Sequence, residues 1–215
     1  IRDQVQKKSQ DQDLVAYVTY RTLLADYSSQ LQTTQSEKLR DVQTWWLEQL
    51  EDFIKKYPNS DDSAEAMLQL AVTQEFSGKV AESKKWYTKL VESHGSSEAG
   101  TRGAGALRRM NLAGQELELK GNSLAGGSID AKQFRGKVLL VIFWSSWCKP
   151  CTEDLPQIQE LYSKYHSQGF DILGINLDAT PDLAEAYTKQ HKIEWAHIHE
   201  EGGLESAPAR DFGVI

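Results

Sequence analysis

The chain has 215 residues with 24 Lys/Arg against 31 Asp/Glu, a net charge of −7, and 40% hydrophobic residues. Six Trp, eight Tyr and six Phe exclude a disordered chain, and no apolar run approaches the ~20 residues that a bilayer span needs. The acidic balance argues against nucleic acid as a partner. No signal-peptide pattern is visible. The chain begins at Ile1 rather than Met, as it would if a leader had been removed or cut away. Charge divides unevenly: residues 1–112 carry a net −1 and residues 113–215 a net −6. Glycine is sparse up to Ser93 and frequent from Gly95 to Gly136. A domain boundary is expected near Asn111–Gly114, giving domains 1–112 and 113–215. The length supports a core in each.

The first domain reads as all-α. Residues 11–31 suggest a helix around Leu14, Val18 and Leu24. From Ser36 to Tyr57, Leu39, Val42, Trp46, Leu50, Phe53 and Tyr57 recur at spacings of three and four, which places them on one helical face. Pro58 ends that segment, and Asn59-Ser60-Asp61 offers a turn and an N-cap. A helix from Asp62 to Ser77 turns Ala64, Met67, Leu68, Ala71 and Phe76 inward, with Gly78 past its end. Another carries Val80, Tyr87, Leu90 and Val91. A last one, Ser97 to Met110, carries Ala99, Ala106, Leu107 and Met110. Trp45, Trp46 and Trp86 sit at helical spacing and read as core rather than ligand contacts. The stretch around Ser60 recurs weakly around Ser96, 36 residues on. That offset suits a helix-turn-helix repeat, and this half weakly resembles the tetratricopeptide class. Such arrays offer a groove to a protein partner. The alternative is a helical bundle that only packs on its neighbour.

The second domain changes texture. Leu117 and Leu119 alternate with charged residues as a strand, Gly121-Asn122 turns the chain, and Leu124 to Ile129 follows as a second strand. Val138 to Phe143 is six uninterrupted apolar residues, the pattern of a central strand buried on both faces. A helix from Lys149 to about Ser167 presents Leu155, Ile158, Leu161, Tyr162 and Tyr165. Phe170–Leu177 is a strand, Pro181–His191 a helix, Ile193–His199 a strand and Leu204–Phe212 a last helical segment. Strands separated by helices pair in parallel.

Cys148 and Cys151, the only two cysteines, are three positions apart where a buried strand meets a helix. That excludes a disulfide framework and a four-cysteine zinc site. The helix N-terminus presents free N–H groups that stabilise a thiolate at Cys148. Lys149 adds positive charge, and Pro150 suits the first helical turn. Cys151 is one turn further in, within disulfide reach. Their expected exposure sets the roles: Cys148 is expected to attack and Cys151 to resolve. Asp154, three residues on, shares the helical face of Cys151 and is the candidate base for its proton, against a bland role as a first-turn acid. His197 and His199 alternate on one strand, which would point two ligands to one side. Isolated surface histidines are commoner, so no metal site is expected. Asp178 reads as a turn residue.

Residues from about Gly114 to Ile215 resemble the thioredoxin superfamily, and within it the TlpA/ResA-like branch of thiol–disulfide oxidoreductases. The resemblance is carried by Phe143-Trp144-Ser145-Ser146-Trp147-Cys148-Lys149-Pro150-Cys151, by Asp154-Leu155-Pro156, by Phe134-Arg135-Gly136-Lys137-Val138 and by Gly169-Phe170-Asp171-Ile172. It implies an α/β thioredoxin-like domain, dithiol–disulfide exchange with protein thiols, Trp144 and Trp147 shaping the site, no cofactor beyond the redox-active disulfide, and a place outside the cytoplasm, in a periplasm or on a membrane anchor. Ile142 stands where cytosolic thioredoxins place a buried acid, which shifts base duty to Asp154. The family pattern continues past Phe212-Gly213-Val214-Ile215 with a cis-proline loop and two more strands, so the fold is expected to be incomplete with an uncovered sheet edge. A binding module with an accessory redox domain is the competing reading. A thiol peroxidase ranks lower, because Ser145 rather than Thr precedes Cys148 by three positions.

Overall fold

The structure is a computed structural model that describes residue 9, residues 11–35 and residues 38–215. It divides into two compact units, Ile1–Leu107 and Arg108–Ile215. None of the described helices is long and apolar enough to cross a membrane.

The first unit is helical: α1 (Gln12–Thr33), α2 (Leu39–Lys56), α3 (Asp61–Phe76), α4 (Val80–His94) and most of α5 (Glu98–Met110). Asp11 caps α1 by accepting from the N–H groups of Asp13 and Leu14. Ser60 caps α3 by accepting from Ser63 N–H. Ser36 and Glu37, where α2 was expected to begin, lie outside the described residues. Of the expected α2 face, Val42, Trp46, Leu50, Phe53 and Tyr57 are buried, while Leu39, in the first turn, is exposed. Trp46 stacks on Tyr27 with ring centroids 4.6 Å apart, and Tyr20 packs on Phe53 at 5.2 Å.

Four details differ from the periodicity reading. In α1 the buried positions are Val15, Ala16, Tyr20 and Leu23, and Leu14 is exposed. The run Leu14-Val15-Ala16-Tyr17-Val18 is apolar all round, so spacing alone does not select its face. Phe76 (86% exposed) and Val80 point to solvent at the α3–α4 turn rather than inward. The cap that matches Ser60 is Ser97, not Ser96: its Oγ accepts from Gly100 N–H at 3.0 Å. Trp45 and Trp86 are only half-buried.

The second unit holds a parallel three-stranded sheet, order β3 (Val138–Trp144), β4 (Phe170–Asn176), β5 (Ala196–His199). Register runs from Val138 opposite Phe170 to Trp144 opposite Asn176, then Gly174 opposite His197 and Asn176 opposite His199. Pleating sends alternate residues to opposite faces. Ile172, Leu140 and Ile142 meet Leu155 and Ile158 of α6 (Lys149–Tyr165) and Trp195. Leu173, Ile175, Leu139, Val141 and Phe143 meet Leu119, Ile129 and Phe212 on the other face. α7 (Pro181–Gln190) and α8 (Ala207–Asp211) complete the elements.

The strand buried on both faces is β4, not β3. β3 is an edge strand among the described residues, with Val138 71% exposed. Its apolar run reflects contact with two side-chain layers, not a central position. Leu161 and Tyr165 of α6 are exposed, because only Leu155, Ile158 and Tyr162 reach the sheet-side cluster. A small hairpin, β1 (Lys120–Asn122) with β2 (Ser128–Asp130), replaces the expected pair of longer strands. Gly121 is in the strand, and the turn is made by Gly126 and Gly127 at φ 94° and 79°. Gly121 is needed for another reason: a Cβ there would stand 2.4 Å from Ile198 Cγ2.

Candidate active site

β3 ends at Trp144, and the chain turns through Ser145-Ser146-Trp147 into α6. Cys148 N–H returns to Ser145 O at 3.2 Å. Cys148 is the N-cap residue of α6, with φ −77° and ψ 98°, and its Sγ accepts the Cys151 N–H at 3.2 Å. Cys148 and Cys151 form a disulfide with Cα atoms 5.3 Å apart. Pro150 sits in the first turn of α6. Both cysteines are half-buried, so exposure does not separate their roles. Their surroundings differ in the capping geometry: the helix N-terminus aims a backbone donor at Cys148 Sγ. In the reduced protein that donor and the helix dipole favour a thiolate at Cys148.

The other expected site residues fall into two groups. Trp144 is buried, and Trp147 is 62% exposed beside the disulfide. Asp154 is exposed and lines, with Cys151, Ile142, Pro150, Tyr187 and His197, a cavity of about 270 Å³. Lys149 does not turn its charge to Cys148. Its Nζ lies 3.7 Å from Glu153 Oε1, with both side chains largely in water.

Of four residues behind the cysteines, the sequence reading misses Asn176 and gives His197, His199 and Asp178 only bland roles. His197 and His199 are buried, not surface histidines, because β5 lies inside the unit. Trp144 Nε1–H donates to His197 Nδ1 at 3.0 Å, so His197 carries its proton on Nε2. Burial lowers its pKa from 6.5 to about 4, because water no longer solvates the imidazolium. The opposing strand makes room for the ring: a Cβ on Gly174 would stand 2.2 Å from His197 Nδ1. Asp178 is fully buried and accepts from Ser146 and Asn176. That carboxylate takes two hydrogen bonds from Asn176 and Ser146 side chains, so the Asn176 amide NH2 faces it and Oδ1 faces His199. His199 Nδ1 therefore donates to Asn176 Oδ1, at 2.8 Å. The two histidines of one strand hold opposite tautomers. No group of three metal-ligating side chains occurs among the described residues. The signal that could have found Asn176 and Asp178 is their place at the carboxyl end of a parallel strand, where α/β sheets build sites.

A parallel sheet with a disulfide capping the helix after its first strand defines the second unit as a thioredoxin-like domain. Residues 113–215 match the AhpC/TSA family. Among curated proteins, the thiol-disulfide oxidoreductase ResA of Bacillus thuringiensis subsp. konkukian (strain 97-27) is 35% identical over 92 residues, covering 43% of this chain and 51% of that protein. The protein of the same name from Oceanobacillus iheyensis is 25% identical over 97 residues, covering 44% of this chain and 50% of its own length. The chain thus spans about half the length of the curated relatives it matches. A solved thiol-disulfide oxidoreductase from Bacteroides fragilis NCTC 9343 shares 26% identity over 46% of this chain and 74% of its own, with a TM-score of 0.43.

Proposed function

We propose that the protein is a thiol–disulfide oxidoreductase acting on protein thiols and disulfides, with residues 113–215 as its catalytic domain. One observation carries the reading: the Cys148–Cys151 disulfide caps a helix, with Cys148 Sγ facing a backbone donor. In the reduced protein the Cys148 thiolate attacks a substrate disulfide. An S–S bond forms to the nearer substrate sulfur, and the other substrate sulfur leaves as a thiolate and takes a proton from water. Cys151 then loses its proton and attacks Cys148 Sγ, which restores the Cys148–Cys151 disulfide and releases a reduced substrate. Two electrons pass to the substrate, and the reverse sequence oxidises a dithiol. Asp154, in the cavity that also reaches Cys151, takes the Cys151 proton through water. Trp147, exposed beside the disulfide, offers an apolar face to the incoming chain. The disulfide is itself the electron carrier, so the exchange uses no separate cofactor. A compartment where disulfides persist, outside the cytoplasm, suits this chemistry and the resemblance to the ResA-like branch. The helical unit, with helix caps at Ser60 and Ser97, recruits the partner.

The test is equilibration of the full chain in glutathione buffers, read by alkylation and mass. A single reversible two-electron transition is expected, absent in Cys148→Ser. No reversible transition would overturn the reading.

A further inference from the structure

Behind the cysteine loop, polar groups form one connected buried chain. Ser146 N–H reaches both Asp178 oxygens, at 3.0 and 3.1 Å, and Ser146 Oγ–H reaches Oδ1 at 2.7 Å. Asn176 Nδ2 donates to Oδ2 at 2.7 Å. Asn176 Oδ1 in turn accepts from Asp178 N–H at 3.1 Å and from His199 at 2.8 Å. One residue away, Leu177 N–H donates to Trp144 O at 2.8 Å. Residues 144–146 are thus pinned to residues 176–178 by backbone and side chain together. The pinned turn leads directly into the Cys148 cap, through the Cys148 N–H to Ser145 O bond.

The donors dictate a carboxylate at position 178. Two donor groups of Ser146 and one of Asn176 converge on it, and only an acceptor-only group meets them all. An amide in its place would turn an N–H toward another donor. No Lys or Arg pairs with Asp178 among the described residues, although it is 0% exposed. Hydrogen bonds alone hold this buried acid, and most of them come from the turn that precedes the nucleophile.

We propose that Asp178 is a positioning residue for the thiol–disulfide exchange: it fastens the Ser145–Trp147 turn so that Cys148 keeps the cap geometry that favours its thiolate. This rests on the exchange reading above. Two effects of Asp178 on Cys148 have opposite sign. Its negative charge, acting through space, raises the thiol pKa. Its tether, acting through the turn, lowers it by holding Sγ at the helix N-terminus. The proposal is that the tether dominates.

The experiment uses the reduced full chain in a Cys151→Ser background, so that only Cys148 reacts. Its alkylation rate by iodoacetamide is followed against pH for the parent, Asp178→Asn and Ser146→Ala, alongside the thermal midpoint. In Asp178→Asn the alkylation midpoint is expected to move up by about one pH unit, a roughly tenfold slower reaction near pH 7. In Ser146→Ala, which leaves the charge in place, a roughly threefold slowing is expected. A midpoint that stays or falls in Asp178→Asn overturns the proposal, even if thermal stability drops, because then Asp178 is structural or acts by its charge. Should Asp178→Asn fail to fold, Ser146→Ala decides alone: slower alkylation supports the tether and an unchanged rate overturns it. The glutathione equilibrium of the unmodified chain is run in parallel. Failure there removes the exchange reading, and the alkylation midpoints still judge the tether.

Discussion

The two units bury polar side chains in different ways. In the helical unit, Ser60, Ser63 and Ser83 are buried, and the bonds of Ser60 and Ser63 are local: Ser63 Oγ donates to Tyr57 O at 2.6 Å, six residues away. In the second unit, Ser145, Asp171, Asn176, Asp178, His197, His199 and Ser206 are buried. Several of these bond across long stretches of chain, Trp144 to His197 over 53 residues and Ser146 to Asp178 over 32. Ser60 and Ser63 of the helical unit bond locally, although its buried Tyr20 hydroxyl accepts from Gln69 Nε2 across 49 residues. Non-local burial locks strand ends against each other, and the strand ends are where the cysteines sit. A buried polar group that must find a distant partner stabilises one arrangement of the sheet and penalises others.

The largest expected effect tests whether the helical unit stands on apolar packing alone. Leu50 is fully buried in its core. Leu50→Ala should cost about 2–5 kcal/mol, from lost transfer energy and the cavity left behind. The helical transition should fall in denaturant while the Cys148 alkylation profile stays in place. A changed alkylation profile would break the contrast between the units.

Next comes the pH response of the second unit, which its buried histidine should set. His197 has a folded-state pKa of about 4 against an ordinary 6.5. The unfolded chain therefore binds a proton at His197 that the folded chain refuses between those values, so stability is lost as pH falls through that window. The full difference corresponds to about 3 kcal/mol, reached below about pH 4. His197→Gln keeps an acceptor for Trp144 and does not titrate. Its denaturation midpoint should be flatter than the parent's between about pH 6.5 and pH 4. An equal slope in both proteins would remove His197 as the source.

What could be read in advance follows the same division. The α2 face, the α3 cap at Ser60 and the disulfide pair were legible, because periodicity, capping and a C-x-x-C are short-range signals. The α1 face was not, since Leu14 to Val18 offers five adjacent apolar residues. The order of the sheet was not either: the uninterrupted apolar run of β3 reads as the central strand, and only pairing puts β4, with Asp171 and Asn176 in it, in the middle. His197, His199 and Asp178 carry no local mark of burial. Their partners, Trp144, Asn176 and Ser146, lie far off in the chain or on a neighbouring strand, and single-residue reading does not join them.

A smaller effect is expected at the local cap. Ser60 Oγ accepts from Ser63 N–H at 3.2 Å and holds the start of α3. Ser60→Ala should cost about 1 kcal/mol, seen as a lower denaturation midpoint, while Ser60→Gly should cost only a few tenths. Equal losses in both would mean that Ser60 acts through its contact with Ser63 Oγ rather than as a cap.

The smallest effect sharpens the comparison most, because it pits proximity in sequence against connection in space. Lys149 is the residue next to Cys148 and carries the nearest charge in the chain. Its ammonium is exposed and leans toward Glu153. Water and salt screen such a charge, and exposed pairs of this kind contribute about 0–1 kcal/mol. Lys149→Ala should therefore move the Cys148 alkylation midpoint by no more than about 0.3 pH units, less still at high salt. The buried Asp178, 30 positions from Cys148, should move it further. If Lys149→Ala shifted the midpoint more than Asp178→Asn did, the thiolate would be set by a screened neighbouring charge, and the long-range bonds of the second unit would serve stability alone.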